Sequence, residues 1–239
     1  MHPTNCLNCA TMLTADDRFC PTCGQKTDTH RITMSHIWHD VIHAFTHADK
    51  GFLYLLREMI FRPGHIAREY VEGKRKRYFN PFSYLLIVVA VSTFLISTFN
   101  LMTVAGRRDP ISLFLNKHAN LVIFLNVPIG AFFSWVFFKG RTYAENLVLQ
   151  AYASGQRSAF YSLIIVPIML SFPQYYMKIV MAYTGLWIIY LGWACRQFYQ
   201  QRGVWAYIRG LLVGLLTYGV ILALITAAYI IYRMYFMRR

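Results

Sequence analysis

Charged side chains stop abruptly near residue 81. From Phe82 to Val104 the chain carries none, and a helix of about 20 apolar residues is enough to cross a bilayer. Four more apolar stretches follow, at about Ala119 to Phe138, Ser158 to Tyr176, Ile179 to Cys195 and Gly210 to Phe236. The pattern predicts about five transmembrane helices. Four or six remain open, because Pro167 and Pro173 interrupt the third stretch and only Lys178 separates it from the fourth. Broken helices are tolerated at membrane depth where protein or a watery cavity covers them. Gly210, Gly214 and Gly219 in the last stretch are spaced for close helix packing.

The first third of the chain reads differently. Residues 35–49 place His36, His39, Asp40, His43 and His47 on one helical face, with Ile37, Trp38, Val41, Ile42, Ala44, Phe45 and Ala48 opposite. Ser35 is the expected N-cap. Two further short helices are predicted, at Phe52 to Phe61 and about His65 to Glu72, parted by the breaker Arg62-Pro63-Gly64. The histidine face has three readings. It is the wet side of a helix lying on the bundle, a site for a second transition metal through i, i+4 imidazoles with Asp40, or a proton-handling surface.

Cysteine spacing adds a third element. Cys6, Cys9, Cys20 and Cys23 form C-x2-C-x10-C-x2-C with Gly24 directly after. Each C-x2-C pair makes a knuckle that aims two thiolates at one ion, and four such ligands close a tetrahedral zinc site with no place for a catalytic water. A structural Zn(2+) is therefore expected, with a hairpin tip at Thr14-Ala15-Asp16-Asp17. The predicted fold is an all-α polytopic membrane protein with a small N-terminal β-rich zinc ribbon (1–30), an amphipathic helical region ending in a basic membrane junction (31–81), and a transmembrane helical bundle (82–239).

Composition sharpens this picture. Hydrophobic residues make up 56% of the 239 and charged residues only 14%, against about 25% charged in an ordinary soluble domain. The net charge of +14 invites a nucleic-acid reading, but its location argues otherwise. Residues 1–81 hold 11 Lys+Arg and 8 Asp+Glu, whereas the greasy remainder holds 13 Lys+Arg and only Asp109 and Glu145. Cations flanking apolar spans set membrane orientation. Lys74-Arg75-Lys76-Arg77, just before the first span, and thiols that need a reducing compartment place the N-terminus in the cytoplasm. The same four cations, with Tyr78 and Phe79 at the interface, suit anionic lipid headgroups. No nucleic-acid partner is expected.

Within the greasy part, Glu145 with Arg141 and Asn146 is a candidate intramembrane polar site. An isolated acid near the bilayer is costly unless paired or functional, and Arg141 is the expected partner, four residues away. No P-loop, nucleophile elbow, dinucleotide fingerprint or H-E-x-x-H motif is present, so an enzyme is not the leading expectation.

The ribbon, His43 to Gly51, the Arg62-Pro63-Gly64 turn and the run Arg68-Glu69-Tyr70-Val71-Glu72-Gly73-Lys74-Arg75-Lys76-Arg77-Tyr78-Phe79-Asn80-Pro81 resemble a bacterial family of unknown function. Its members join an N-terminal zinc ribbon to several membrane spans. The resemblance covers residues 6–85 and implies a multi-pass protein of the bacterial inner membrane. It supplies no mechanism. The leading expectation is a binding protein whose cytosolic ribbon meets anionic lipid, a protein partner or a second copy of the chain. A small-solute or ion transporter, and a membrane metalloenzyme using His36, His39, His43 and His47, are the alternatives.

Overall fold

The computed structural model describes residues 5–29, 31–34, 51–99 and 110–236. Its α-helices are α1 (Gly51–Phe61), α2 (Pro63–Val71), α3 (Pro81–Thr98), α4 (Pro110–Phe137), α5 (Tyr143–Phe160), α6 (Val166–Ser171), α7 (Tyr176–Phe198) and α8 (Val204–Phe236). A π turn, Tyr161–Ile165, joins α5 to α6, and a 3₁₀ turn, Pro173–Tyr175, joins α6 to α7. The expected histidine helix, with His36, His39, Asp40, His43 and His47, lies outside the described residues.

Three helices are long and apolar enough to cross a membrane among the described residues: Pro81–Thr98, Pro173–Phe198 and Val204–Ile231. Five were expected; the other two candidates lie in α4 and in the run through α5 and α6. In α4 the stretch whose side chains are described, Leu121–Phe137, is an apolar helix of 17 residues. The expected third span is the far end of one helical run from Tyr143 to Ser171, whose first part is rich in polar side chains. Hydropathy registers what faces lipid, and α5 faces protein. All of its residues are buried except Tyr143, Arg157 and Phe160.

The polar side chains of α5 bond within the bundle. Gln150 donates to Ser134 Oγ at 2.9 Å, and Tyr84 donates to Gln156 Oε1 at 2.5 Å. Ser92 bonds both the Ser158 carbonyl (3.0 Å) and Ser162 Oγ (2.7 Å). Satisfied in this way, buried amides and hydroxyls do not carry the desolvation cost that an unpaired group would. The outside is the reverse. Leu186, Ile189, Leu215, Leu222 and Ile231 are each more than half exposed, a belt of large apolar side chains that suits lipid and not water.

Helix ends follow local chemistry. Asn80 Oδ1 accepts from the backbone N–H groups of Phe82 (2.9 Å) and Ser83 (3.3 Å), and Pro81 occupies the first helical position of α3. Asn80→Ala is expected to cost ~1 kcal/mol, read as a lower melting temperature of the detergent-solubilised protein. The Arg62-Pro63-Gly64 breaker separates α1 from α2 by a single residue, with Pro63 opening α2. Gly64 then lies directly on α7, where an added Cβ would stand 2.0 Å from the Ala194 carbonyl oxygen. α7 and α8 pack antiparallel with Gly210 against Gly192 and Gly214 against Ile188. Gly219 has open space around it, so the expected stripe ends there.

Candidate metal centre and basic face

The two cysteine knuckles have matching geometry. Cys6 N–H donates to the Thr11 carbonyl and Ala10 N–H to that of Cys6; Cys20 N–H donates to the Gln25 carbonyl and Gly24 N–H to that of Cys20, all at 2.8 Å. The residue after each second cysteine is left-handed, with φ +61° at Ala10 and +69° at Gly24. Glycine was legible as a turn former; Ala10 was not, because alanine rarely adopts this region. The spacer turns at Thr14–Asp17, where Thr14 N–H donates to Asp17 Oδ2 at 2.7 Å. Residues 5–29 contain no β-strand. The expected hairpin with its tip at Thr14–Asp17 is not formed as strands; instead a single bridge flanks each knuckle, Asn5 with Met12 and Phe19 with Lys26.

The four sulfurs lie within 4.8 Å of one another, with Cys6 to Cys23 at 3.6 Å and Cys9 to Cys20 at 3.5 Å. None is bonded to another. Four ~2.3 Å zinc–sulfur bonds in a tetrahedron give sulfur–sulfur edges of about 3.8 Å, so the cluster is the right size for a metal ion. Thr11 hydrogen bonds lower the Cys9 thiol to about 6, whereas burial pushes Cys6 up to about 11. The site is therefore prepared for thiolate at its outer edge, and the buried thiol would release its proton to solvent if a metal ion bound there.

The ribbon is clasped to the basic junction. Gln25, itself buried, donates to the Gly73 carbonyl at 2.8 Å and accepts from Lys76 N–H at 3.2 Å. Leu7 sits on Gly73, whose φ of +110° and lack of a Cβ allow the approach. These contacts explain the glycine of the junction motif. The other motif residues form its frame. Glu69 accepts from Lys74 Nζ at 3.0 Å and from the Tyr78 hydroxyl, and Tyr70 meets Tyr152 edge to face.

Burial pulls the Glu69 carboxyl up, but the hydrogen bonds from Tyr78 and Lys74 outweigh it and hold the group below its ordinary value. A depressed carboxyl stabilises the fold above its unfolded pKa, and that contribution is lost as pH falls through the folded pKa. Glu69→Gln is thus expected to melt below the wild type near pH 7, with the gap closing below about pH 4. Melting both proteins across that range checks it.

The cationic run divides in two. Lys74 and Arg75 are half-buried, whereas Lys76 and Arg77 are exposed. Other cations gather at the same end of the bundle. The 138–142 and 199–203 loops meet there, with Phe138 stacked on Tyr199 at 4.1 Å and Arg141 bonded to Glu72 at 2.8 Å. A cleft between α2 and the end of α7 is lined by His65, Arg68, Arg196 and Arg202, with Trp193 and Gln197.

Glu145 is not paired with Arg141 as expected. It accepts bidentately from Arg31 Nε (2.7 Å) and Nη2 (3.0 Å), and closes a capping box with Thr142. Arg141 precedes the N-cap of α5, so helical i, i+4 spacing does not apply to it. Glu145 is 2% exposed and Arg31 60%. Asn146 accepts from the Tyr199 hydroxyl and donates to the Thr142 carbonyl. Glu145 and Asn146 thus tie the start of α5 to the segment after the ribbon and to the end of α7. Sequence reasoning missed Arg31, Glu72 and Gln25, whose partners are 114, 69 and 48 residues away; no local signal points to such pairs.

The fold and site together define an apolar helical bundle with a four-cysteine group that could hold a metal ion, clasped against its basic end. A family described as a protein of unknown function (DUF3667) matches residues 49–93, which take in α1, α2, the junction and most of α3. No curated protein and no solved structure matches the chain.

Proposed function

We propose that this is a multi-pass protein of the bacterial inner membrane that works by binding and not by catalysis. Its cytosolic ribbon holds a structural zinc ion and fixes a basic surface that takes anionic lipid headgroups. The observation that carries the reading is the gathering of cations at one end. Lys76 and Arg77 are exposed beside the clasped ribbon, and Arg68, Arg196 and Arg202 line the neighbouring cleft. Among the described residues the cations gathered at that end, with Lys139, Arg141, Arg196 and Arg202 in or beside its loops, support its cytoplasmic placement. Five crossings, through α3, α4, α5 with α6, α7 and α8, accommodate the alternation of the loops. A closed four-thiolate shell suits structure over chemistry.

Each exposed cation near an anionic surface contributes ~1 kcal/mol. Full-length protein in a mild nonionic detergent, titrated with phosphatidylglycerol or phosphatidylcholine and read by native mass spectrometry, is expected to prefer the anionic lipid by ~10-fold or more. The double variant Lys76→Glu, Arg77→Glu should lose most of that preference. Equal retention of both lipids by the wild type would overturn the reading. A protein partner is the second reading, favoured by Met12 and Phe19 on the ribbon, which are 80% and 60% exposed. Copurification of one protein that is lost on Phe19→Ser would support it.

A further inference from the structure

A cavity of about 330 Å³ lies among α3, α4, α5, α7 and α8. Most of its wall is apolar, including Ile96, Ile221, Leu222 and Ile225, and among the described lining residues Arg157 is the one cation. No acid lines it. Glu145, the one acid on α5, is twelve residues or ~18 Å back along the helix and is taken by Arg31. Arg157 stands ~21 Å along the helix from Tyr143, inside the apolar belt and away from the basic end. Its guanidinium lies 4.7 Å from the centre of the Tyr218 ring. An ionisable side chain at such depth is costly and is a functional site by default.

Two independent features mark the same place. The π turn begins at Tyr161, which lines the cavity, and π turns inside helices occur frequently at functional sites. Leu222, also on the wall, is two-thirds exposed, so the cavity opens onto the apolar outer surface. A cation set at one point of a long apolar wall, with a mouth on the lipid-facing side, matches a ligand with the same asymmetry.

We propose that this cavity binds an anionic amphiphile, with its carboxylate or phosphate on Arg157 and its tail along Ile96, Ile221 and Ile225. Binding is non-covalent, and the charge-assisted hydrogen bond to the guanidinium supplies the selectivity. The site is separate from the basic face, from which it is removed by most of the length of α5.

The test uses full-length protein in nonionic detergent, titrated separately with palmitate, a lysophosphatidate, palmityl alcohol and inorganic phosphate, and read by native mass spectrometry. Palmitate or the lysophosphatidate is expected to bind one per chain, and the tighter of the two identifies the head. Palmityl alcohol should bind at least ~10-fold more weakly, since a hydrogen bond to a charged group contributes ~1.5–3 kcal/mol. Inorganic phosphate, with no tail, should not bind measurably. Arg157→Gln should bring the anionic ligands down to the level of the alcohol, and Arg157→Lys should retain part of the difference. Ile221→Phe, which fills the cavity and leaves the cation in place, should abolish binding of every amphiphile and covers the case in which Arg157→Gln does not fold. Unchanged affinity in Arg157→Gln, equal binding of the alcohol, or unchanged binding in Ile221→Phe would overturn the proposal.

Discussion

Cys20→Ser is expected to release the metal and unfold residues 5–29 while leaving the helical bundle intact. The ribbon has almost no core of its own. Leu7, Met12 and Phe19 are all exposed, and Cys6 and Cys20 are the buried apolar side chains between residues 5 and 29. Two single bridges and two knuckles remain to order it. Conformational entropy of ~1–2 kcal/mol per residue opposes that order, and a structural zinc ion supplies ~10–16 kcal/mol in ribbons of comparable size. The serine variant should fall from one metal per chain to nearly none by elemental analysis. Its ribbon should be cut rapidly by protease, and helical circular dichroism should hardly change. The loss reaches further than the metal, since Leu7 and Gln25 are then no longer held against Gly73 and Lys76.

Gly64→Val is expected to be the most damaging single substitution in the helical part. A Cβ there would stand 2.0 Å from the Ala194 carbonyl oxygen and 2.6 Å from both Gln197 Cβ and the Phe198 nitrogen. Two of those atoms are backbone, so no rotamer change relieves the clash and α2 must move off α7. The move also breaks the bond from Gly64 N–H to Gln197 Oε1 at 3.0 Å. Overpacking of this kind costs ~3 kcal/mol or more, so the variant should melt far below the wild type or fail to accumulate. Gly219→Ala is the contrast. Nothing lies within 4 Å of its Cβ position, and a helical glycine replaced by alanine gains ~0.5–1 kcal/mol. A glycine stripe read from sequence treats Gly219 as equal to Gly210, and only the packing separates them.

That contrast shows where the sequence was informative. The cysteine spacing, the junction motif, the first and last spans and the breaker at Pro63 could be read directly, because each rests on local geometry or a single period. The central helix could not. Glu145, Asn146, Gln150 and Gln156 lower its hydropathy, yet all four are buried and all four bond across to other helices or to the segment after the ribbon. Buried polar networks look like exposed polar surface until their partners are known. The Arg31–Glu145 pair spans 114 residues and displaces the nearer Arg141, which the fold sends to Glu72. A lone arginine above a cavity was equally silent in the sequence, where Arg157 reads as one more cation beside a span.

The central claim is a bundle that crosses the membrane with its ribbon end in the cytoplasm, and single-cysteine labelling in intact cells tests it most directly. Lys139 lies exposed in the loop at the ribbon end, and Gln174 lies exposed in the turn before α7 at the other. Cys195 is fully buried, whereas Cys9 of the ribbon is exposed, so labelling of each introduced cysteine is read above that of the parent chain under the same condition. The account predicts that Gln174→Cys is labelled in intact cells and Lys139→Cys only after the membrane is permeabilised. Labelling of Lys139→Cys in intact cells, with Gln174→Cys protected, would contradict it.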